Sequence, residues 1–160
     1  MIVYHGTTEI IRKPDILHSY RNLDFGKGFY VTTVKKQAER WALRKAEMTF
    51  ASKALVNVYL MKDSLNDYRV KEFADDLNEW IEFVCAFRDG KGIYQDYDII
   101  KGKVADDQVY RVVNLYKTSV WDKQRAIAEM KPYDLYDQIA FITQKTIDSL
   151  LTFSSCYEVK

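Results

Sequence analysis

The chain has 160 residues, 48% of them hydrophobic, which suits one compact domain with its own core. Its 24 lysines and arginines nearly balance 23 aspartates and glutamates, so it lacks the basic excess typical of proteins that bind nucleic-acid duplexes. No apolar run reaches the roughly 18 residues of a membrane span, and no secretory signal pattern opens the chain, so we expect a cytoplasmic protein without a membrane partner.

The first quarter of the chain predicts two strands separated by an irregular stretch. Residues 2–5 form a strand pattern that runs straight into Gly6. The stretch from there to Asp24 has no periodicity, and a second strand is predicted over 29–33. A helix follows at once, with Thr33 as its N-cap.

That helix is predicted from apolar residues at helical spacing, opposite a face of lysines and arginines. The apolar positions are Val34, Ala38, Trp41, Ala42 and Ala46. Its basic face is typical of a solvated surface, and a nucleic-acid contact is the alternative.

The rest of the chain mixes strands and helices. Strand patterns cover 54–61, 68–73 and 97–103, and a later strand places Gln138 on one of its faces, with a further strand at the C-terminus. Helix patterns cover 77–85, 109–116, 122–130 and 147–151, with Asp107 and Asp122 as caps and Pro132 as a break. The order has no regular βαβ rhythm, and no linker divides it. It therefore predicts one α+β domain over 1–160.

The sequence lacks the residue patterns of several common cofactor, nucleotide and metal sites. The segment from Gly26 to Gly28 has neither the third glycine nor the following helix of a dinucleotide-binding turn, and there is no P-loop. Two histidines and two distant cysteines make neither a zinc site nor a disulfide framework.

Two short motifs remain. His5 leaves the first strand just before Gly6, where a ring nitrogen can meet a ligand hydroxyl while the glycine lets backbone groups approach closely. Glycines at 26 and 28 lead into Phe29 and Tyr30, whose rings point to opposite faces of a strand, one toward the core and one toward a cleft. Each motif alone also suits a purely structural role, a satisfied core histidine in one case and a glycine-rich hairpin in the other.

Together the two motifs resemble the ADP-ribosyltransferase superfamily, in its diphtheria-toxin and PARP-like branch. The resemblance rests on four segments: His5-Gly6-Thr7, Asp24 to Thr32, Ile99 to Asp107, and Asp137 to Phe141. Within that branch the chain is similar to small bacterial domains of toxin–antitoxin type. The resemblance implies an ADP-ribosyltransferase-like α+β fold with a split mixed and antiparallel sheet and flanking helices.

The resemblance also implies NAD as co-substrate. By similarity, His5 binds an adenosine-ribose hydroxyl, Gly6 holds the nicotinamide amide and Tyr30 stacks on the nicotinamide ring, with Gln138 in the third triad position. Asp24, Asp137 and Glu129 are candidates for the acid that activates an acceptor, and Asp24 ranks first because it belongs to the resembling motif. The residues that the resemblance adds to the NAD-binding set are Thr7, Gly28, Phe29 and Thr32.

Gln138 stands where the best-known members of the branch carry glutamate. An amide hydrogen-bonds but cannot supply a negative charge, so transfer of single ADP-ribosyl units is expected instead of polymer elongation. The expected acceptor is a protein or a nucleic acid, and an antitoxin protein is the expected partner of an intracellular toxin or phage-defence protein. One alternative is an inactive module with the same fold that binds NAD, ADP-ribose or nucleic acid. A further alternative, supported by the 12 tyrosines, is a structural or interaction protein whose partner covers an aromatic patch.

Overall fold

A computed structural model describes residues 1–18, 23–73, 75, 77–91, 94–105, 107–131 and 136–160. Within these ranges the strands are β1 (Ile2–Thr7), β2 (Phe29–Val31), β3 (Ala54–Met61), β4 (Val70–Glu72), β5 (Ile99–Lys103), β6 (Asp137–Phe141) and β7 (Leu151–Val159). The α-helices are α1 (Lys35–Thr49), α2 (Leu77–Arg88), α3 (Asp107–Lys117), α4 (Lys123–Met130) and α5 (Gln144–Leu150). Single 3-10 turns lie at Ile16–His18 and Tyr94–Asp96.

The strands form two sheets. Sheet A is antiparallel, in the order β1-β3-β7. Sheet B has the order β2-β6-β5-β4 and is mixed, because β4 runs parallel to β5 while the other pairs are antiparallel. One isolated bridge, between Tyr4 and Thr32, joins the two sheets. The protein is therefore α+β, as the sequence predicts.

Strand alternation places apolar residues on both faces of sheet B. One face packs against sheet A and α5, in a cluster that includes Val3, Phe29, Tyr59 and Phe141. The other face packs against α2, α3 and α4 around Trp80. Helix α1 covers the outer face of sheet A with small residues. The order of layers is thus α1, sheet A, sheet B and the three-helix group.

The α1 helix lies unusually close to β1. A Cβ built on Gly6 would lie 2.1 Å from the carbonyl oxygen of Ala38 and 2.8 Å from the amide nitrogen of Ala42. Both alanines are fully buried, so the helix backbone rests directly on the strand. This contact holds β1 against α1 at Gly6, the residue that follows His5.

Several predicted details of the first helix are wrong. Val34 is its N-cap and Thr33 is not, and Val34 makes no capping side-chain hydrogen bond. The amide of Val34 instead donates to Thr32 Oγ1, at 3.0 Å. Trp41, predicted on the buried stripe, is 43% exposed, because the alanines at positions 38 and 42 alone fill the narrow contact with sheet A.

Element bounds elsewhere differ slightly from the predictions. β2, β4 and β5 are shorter than predicted, because their first or last residues have no ladder partner. Asp122 caps α4 as predicted, accepting a hydrogen bond from the amide of Arg125 at 2.8 Å. Pro132 and the side chain of Asp107 lie outside the described residues. Among the described helices, none is both long and apolar enough to cross a membrane.

Candidate functional site

The two sheets separate at the predicted histidine. Tyr4 exchanges two backbone hydrogen bonds with Thr32, of 2.8 and 3.0 Å. In the described part of the chain, β1 and β2 share no further ladder pair. Because backbone groups on a strand alternate in direction, the N–H and C=O of Gly6 point the same way as those of Tyr4. They therefore face the gap between β1 and β2.

His5 is held firmly at the edge of this gap. Its Nδ1 lies 2.7 Å from the carbonyl oxygen of Tyr30, and since that oxygen only accepts, Nδ1 donates. The imidazole also stacks on Phe29, with ring centroids 4.5 Å apart and planes inclined by 26°. Phe29 itself is a core residue, 1% exposed. In the neutral ring this tautomer makes Nε2 the acceptor.

Tyr30 points to the opposite face of β2, as alternation predicts, and its hydroxyl holds the preceding turn. The hydroxyl donates to the carbonyl of Gly26 at 2.6 Å and accepts from the amide of Phe25 at 3.0 Å. Burial, and next the charge of Asp24, raises the pKa of Tyr30 well above its usual value. The phenol is therefore neutral and serves as a fixed donor and acceptor.

We expect Tyr30→Phe to lower the free energy of unfolding by about 1–2 kcal/mol while keeping the aromatic ring in place. The change removes both hydrogen bonds of the hydroxyl and leaves a partly buried amide at Phe25 without its partner. Urea unfolding measures the loss. An unchanged midpoint and slope would show that water replaces the hydroxyl without cost.

Asp24 lies under this turn in a buried network of hydrogen bonds. One of its oxygens accepts from Arg88, through Nε at 2.9 Å and through Nη2. The other accepts from the amide of Ala105 at 3.0 Å and from Gln138 Nε2 at 3.1 Å. Gln138 Nε2 also donates to the carbonyl of Lys103 at 3.2 Å. The structure thus brings two distant predicted site residues, Asp24 and Gln138, into direct contact.

Arg88 completes this network, and the sequence did not single it out. It sits in the last turn of α2, where a basic residue is also favoured simply by the helix dipole. Its guanidinium lies 4.1 Å from the centroid of the Tyr110 ring, so it packs between an aromatic face and a carboxylate. No local pattern distinguishes it from an ordinary helix-end arginine.

The other predicted NAD-binding residues are buried and engaged by the protein itself. Thr7 is fully buried and accepts a hydrogen bond from Lys45 Nζ at 3.2 Å. Thr32 is 5% exposed and donates from Oγ1 to Asp137 at 3.0 Å. A Cβ on Gly28 would lie 2.5 Å from the carbonyl oxygen of Phe141, so this glycine lets the segment that enters β2 pass close to the end of β6.

A cavity of about 460 Å³ opens at the end of β5 and β6. Its walls include Thr33, Phe73, Lys101, Lys103, Asp137 and Gln138. Asp137 and Gln138 are neighbours on one strand with side chains on opposite faces, since Asp137 contacts Thr32 and Gln138 contacts Asp24. Of the residues predicted to bind NAD or to act in catalysis, Gln138 and the lower-ranked acid candidate Asp137 line this cavity, and the others do not. Among the described residues no cluster of three or more His, Cys, Asp or Glu side chains could hold a metal ion.

Comparison with known proteins gives a family without an assigned activity. A family model described as "Protein of unknown function (DUF3990)" matches residues 1–153. No curated protein and no solved structure matches the chain. The matched range includes both N-terminal motifs, the Asp24 network and Gln138. The chain belongs to the DUF3990 family.

Proposed function

We propose that this protein is an NAD-dependent mono-ADP-ribosyltransferase with an ADP-ribosyltransferase-like fold. One observation carries the proposal: a continuous chain of contacts links the three triad positions. His5 bonds to the backbone of Tyr30, the Tyr30 hydroxyl holds the turn that follows Asp24, and Asp24 bonds to Gln138. Residues 133 positions apart in the sequence (138 minus 5) thus form one connected group where sheets A and B separate.

Each residue offers a group suited to one part of NAD. The backbone N–H and C=O of Gly6 face the gap and match the amide of nicotinamide, which both donates and accepts. His5 presents a fixed imidazole to a ribose hydroxyl. Tyr30, partly buried and anchored at its hydroxyl, is the ring proposed to stack on nicotinamide. These interactions orient the substrate, which lowers the entropic part of the barrier.

The proposed reaction breaks the bond between C1′ of the nicotinamide ribose and the pyridinium nitrogen. The bonding electrons go to the ring, which leaves as neutral nicotinamide, and a lone pair of the acceptor forms the new bond to C1′ while the acceptor releases a proton. Gln138 supplies hydrogen bonds and no charge, which favours transfer of single units. With water as acceptor, the same step is NAD hydrolysis.

The biological context is proposed from the family resemblance alone. The function is that of an intracellular bacterial toxin from a toxin–antitoxin or phage-defence pair. Its acceptor is a protein or a nucleic acid, and its partner is an antitoxin protein. The two-sheet arrangement, joined by the single bridge between Tyr4 and Thr32, is the structural support for the ADP-ribosyltransferase-like fold.

A second candidate is a module that binds NAD, ADP-ribose or nucleic acid without turnover. The observation that favours it is the environment of Gln138: a neutral amide whose two N–H groups are both bonded within the protein. Such a side chain stabilises a developing cation less than a carboxylate does. Tight NAD binding with background nicotinamide release identifies this case.

The decisive experiment measures nicotinamide release from NAD by the purified protein, together with labelling of a cell extract by radiolabelled NAD. We expect His5→Ala to lower release by about 100-fold, because the substrate loses a positioned contact. His18→Ala, which removes the only other histidine, is the matched control and keeps the wild-type rate. Absence of both release and labelling by the wild type, or equal rates in the two variants, would reject the proposal.

A further inference from the structure

We propose that the partly buried Asp24–Arg88 ion pair fixes the orientation of the Gln138 amide, so that Gln138 presents its carbonyl oxygen Oε1 to the ligand. The role given to this oxygen rests on the function proposed above, whereas the fixed orientation does not. In this assignment Asp24 is a positioning residue, and Gln138 is the group that touches the substrate. The inference follows from the hydrogen-bonding capacity of each group in turn.

The amide orientation is determined by its two partners. Gln138 faces a carboxylate oxygen of Asp24 and the backbone carbonyl of Lys103. An ionised carboxylate and a carbonyl only accept hydrogen bonds, so the NH₂ end of the amide must face them. Rotating the amide by 180° would place Oε1 against two oxygens and lose both hydrogen bonds.

This orientation leaves Oε1 as the atom available to a ligand. Both N–H groups are already used, and Oε1 has no hydrogen-bond partner among the described residues. It is not sealed in the core, because every fully buried side-chain oxygen or nitrogen of the described residues has a partner. Gln138 also lines the cavity of about 460 Å³. A carbonyl oxygen accepts hydrogen bonds from hydroxyl groups, as a carboxylate does, but carries no charge.

Asp24 can hold the amide because it is itself held from two other directions. Its side chain is 8% exposed and faces the guanidinium of Arg88, which approaches through two nitrogens. The amide of Ala105 binds the same oxygen that receives Gln138. Two nitrogens of Arg88 hold one carboxylate oxygen and the Ala105 amide holds the other, so the carboxylate cannot rotate without losing a hydrogen bond. The position of the Gln138 amide is therefore coupled to Arg88, which it does not touch.

Nuclear magnetic resonance of the side-chain NH₂ groups tests the orientation without any ligand. The Gln138 signals are identified by their loss in Gln138→Met. We expect their hydrogen exchange to become about tenfold faster in Asp24→Asn, since asparagine has one acceptor oxygen where the carboxylate has two and cannot serve both Arg88 and Gln138. Asp98→Asn is the matched control, because Asp98 also pairs with an arginine, Arg69 at 2.9 Å, away from the site. Should Asp24→Asn fail to fold, Arg88→Lys serves instead, with a smaller acceleration. Unchanged exchange in the folded variant overturns the inference.

A double-mutant cycle on NAD affinity tests the functional part. We expect Asp24→Asn and Gln138→Met each to weaken NAD binding about tenfold, and the double variant to be no weaker than either one, because the first releases the orientation of the same carbonyl that the second removes. If the double variant binds NAD about 100-fold more weakly than the wild type, the two residues act independently and the inference is overturned. A wild-type protein that does not bind NAD rejects the proposed function, and the exchange measurement then still decides whether Asp24 orients the amide.

Discussion

Replacing Gly6 by alanine is expected to lower the free energy of unfolding by about 3 kcal/mol or more. The added Cβ would lie 2.1 Å from the carbonyl oxygen of Ala38 and 2.8 Å from the amide nitrogen of Ala42. Both are backbone atoms of α1, so no side-chain rotation relieves the clash. Relief requires the helix to move off sheet A, which would open the small-residue contact that Ala38 and Ala42 make there.

Gly102→Ala is the matched control for this prediction. Its new Cβ would lie 2.8 Å from Cζ of Phe25 and 3.1 Å from Cδ2 of Phe73, and both are ring atoms that can tilt away. We expect a loss of about 1 kcal/mol there. Urea unfolding of the two variants gives the comparison, and equal losses would contradict it. If Gly6→Ala is strongly destabilised, a loss of activity in this variant reflects impaired folding and cannot be attributed to weaker NAD binding.

The sequence predicts the strands and helices of this fold well where the pattern is local. β3 has the predicted bounds because a continuous run of β-forming residues is buried between two neighbouring strands. The start of α1 shows the limit. Thr33 resembles an N-cap, yet its amide donates to Asp137, 104 residues away. A partner so distant in sequence overrides the local preference, and one sequence gives no means of seeing it.

In the candidate site, too, the residues of local motifs are predictable from the sequence, whereas contacts between distant segments are not. His5 and Tyr30 belong to motifs that are contiguous in the sequence, so both could be named before the structure was known. Their contact through the Tyr30 carbonyl could not, because it depends on how β1 and β2 separate after one bridge. Arg88 was missed altogether: it lies 64 residues from Asp24, and nothing in its own segment marks it.

Gln138→Glu is expected to lower the free energy of unfolding by about 3–5 kcal/mol at neutral pH. The change introduces the residue type that the proposed ADP-ribosyltransferase resemblance would favour, yet it removes both donors from a site built for an NH₂ group. A carboxylate there would face the Asp24 carboxylate and the Lys103 carbonyl at hydrogen-bond distance, in a position 8% exposed. Like charges and burial both oppose ionisation. We therefore expect no gain in polymer elongation from this substitution.

The pH dependence identifies the cause of that loss. Because burial and Asp24 both favour the protonated form, the folded-state pKa of the new carboxyl exceeds its unfolded value of about 4.3. The penalty is then absent below about pH 4 and grows as the pH rises toward the folded-state pKa. Gln138→Met is the control, with a loss of about 1 kcal/mol at every pH, since Lys103 O keeps a hydrogen bond from Trp80 Nε1 at 2.9 Å. Comparing the two variants by urea unfolding at pH 5 and pH 8 isolates the charge effect. If the difference in unfolding free energy between the two variants is the same at both pH values, the new carboxylate lies in solvent. If the difference grows with pH, the Asp24 network accepts only an amide at this position.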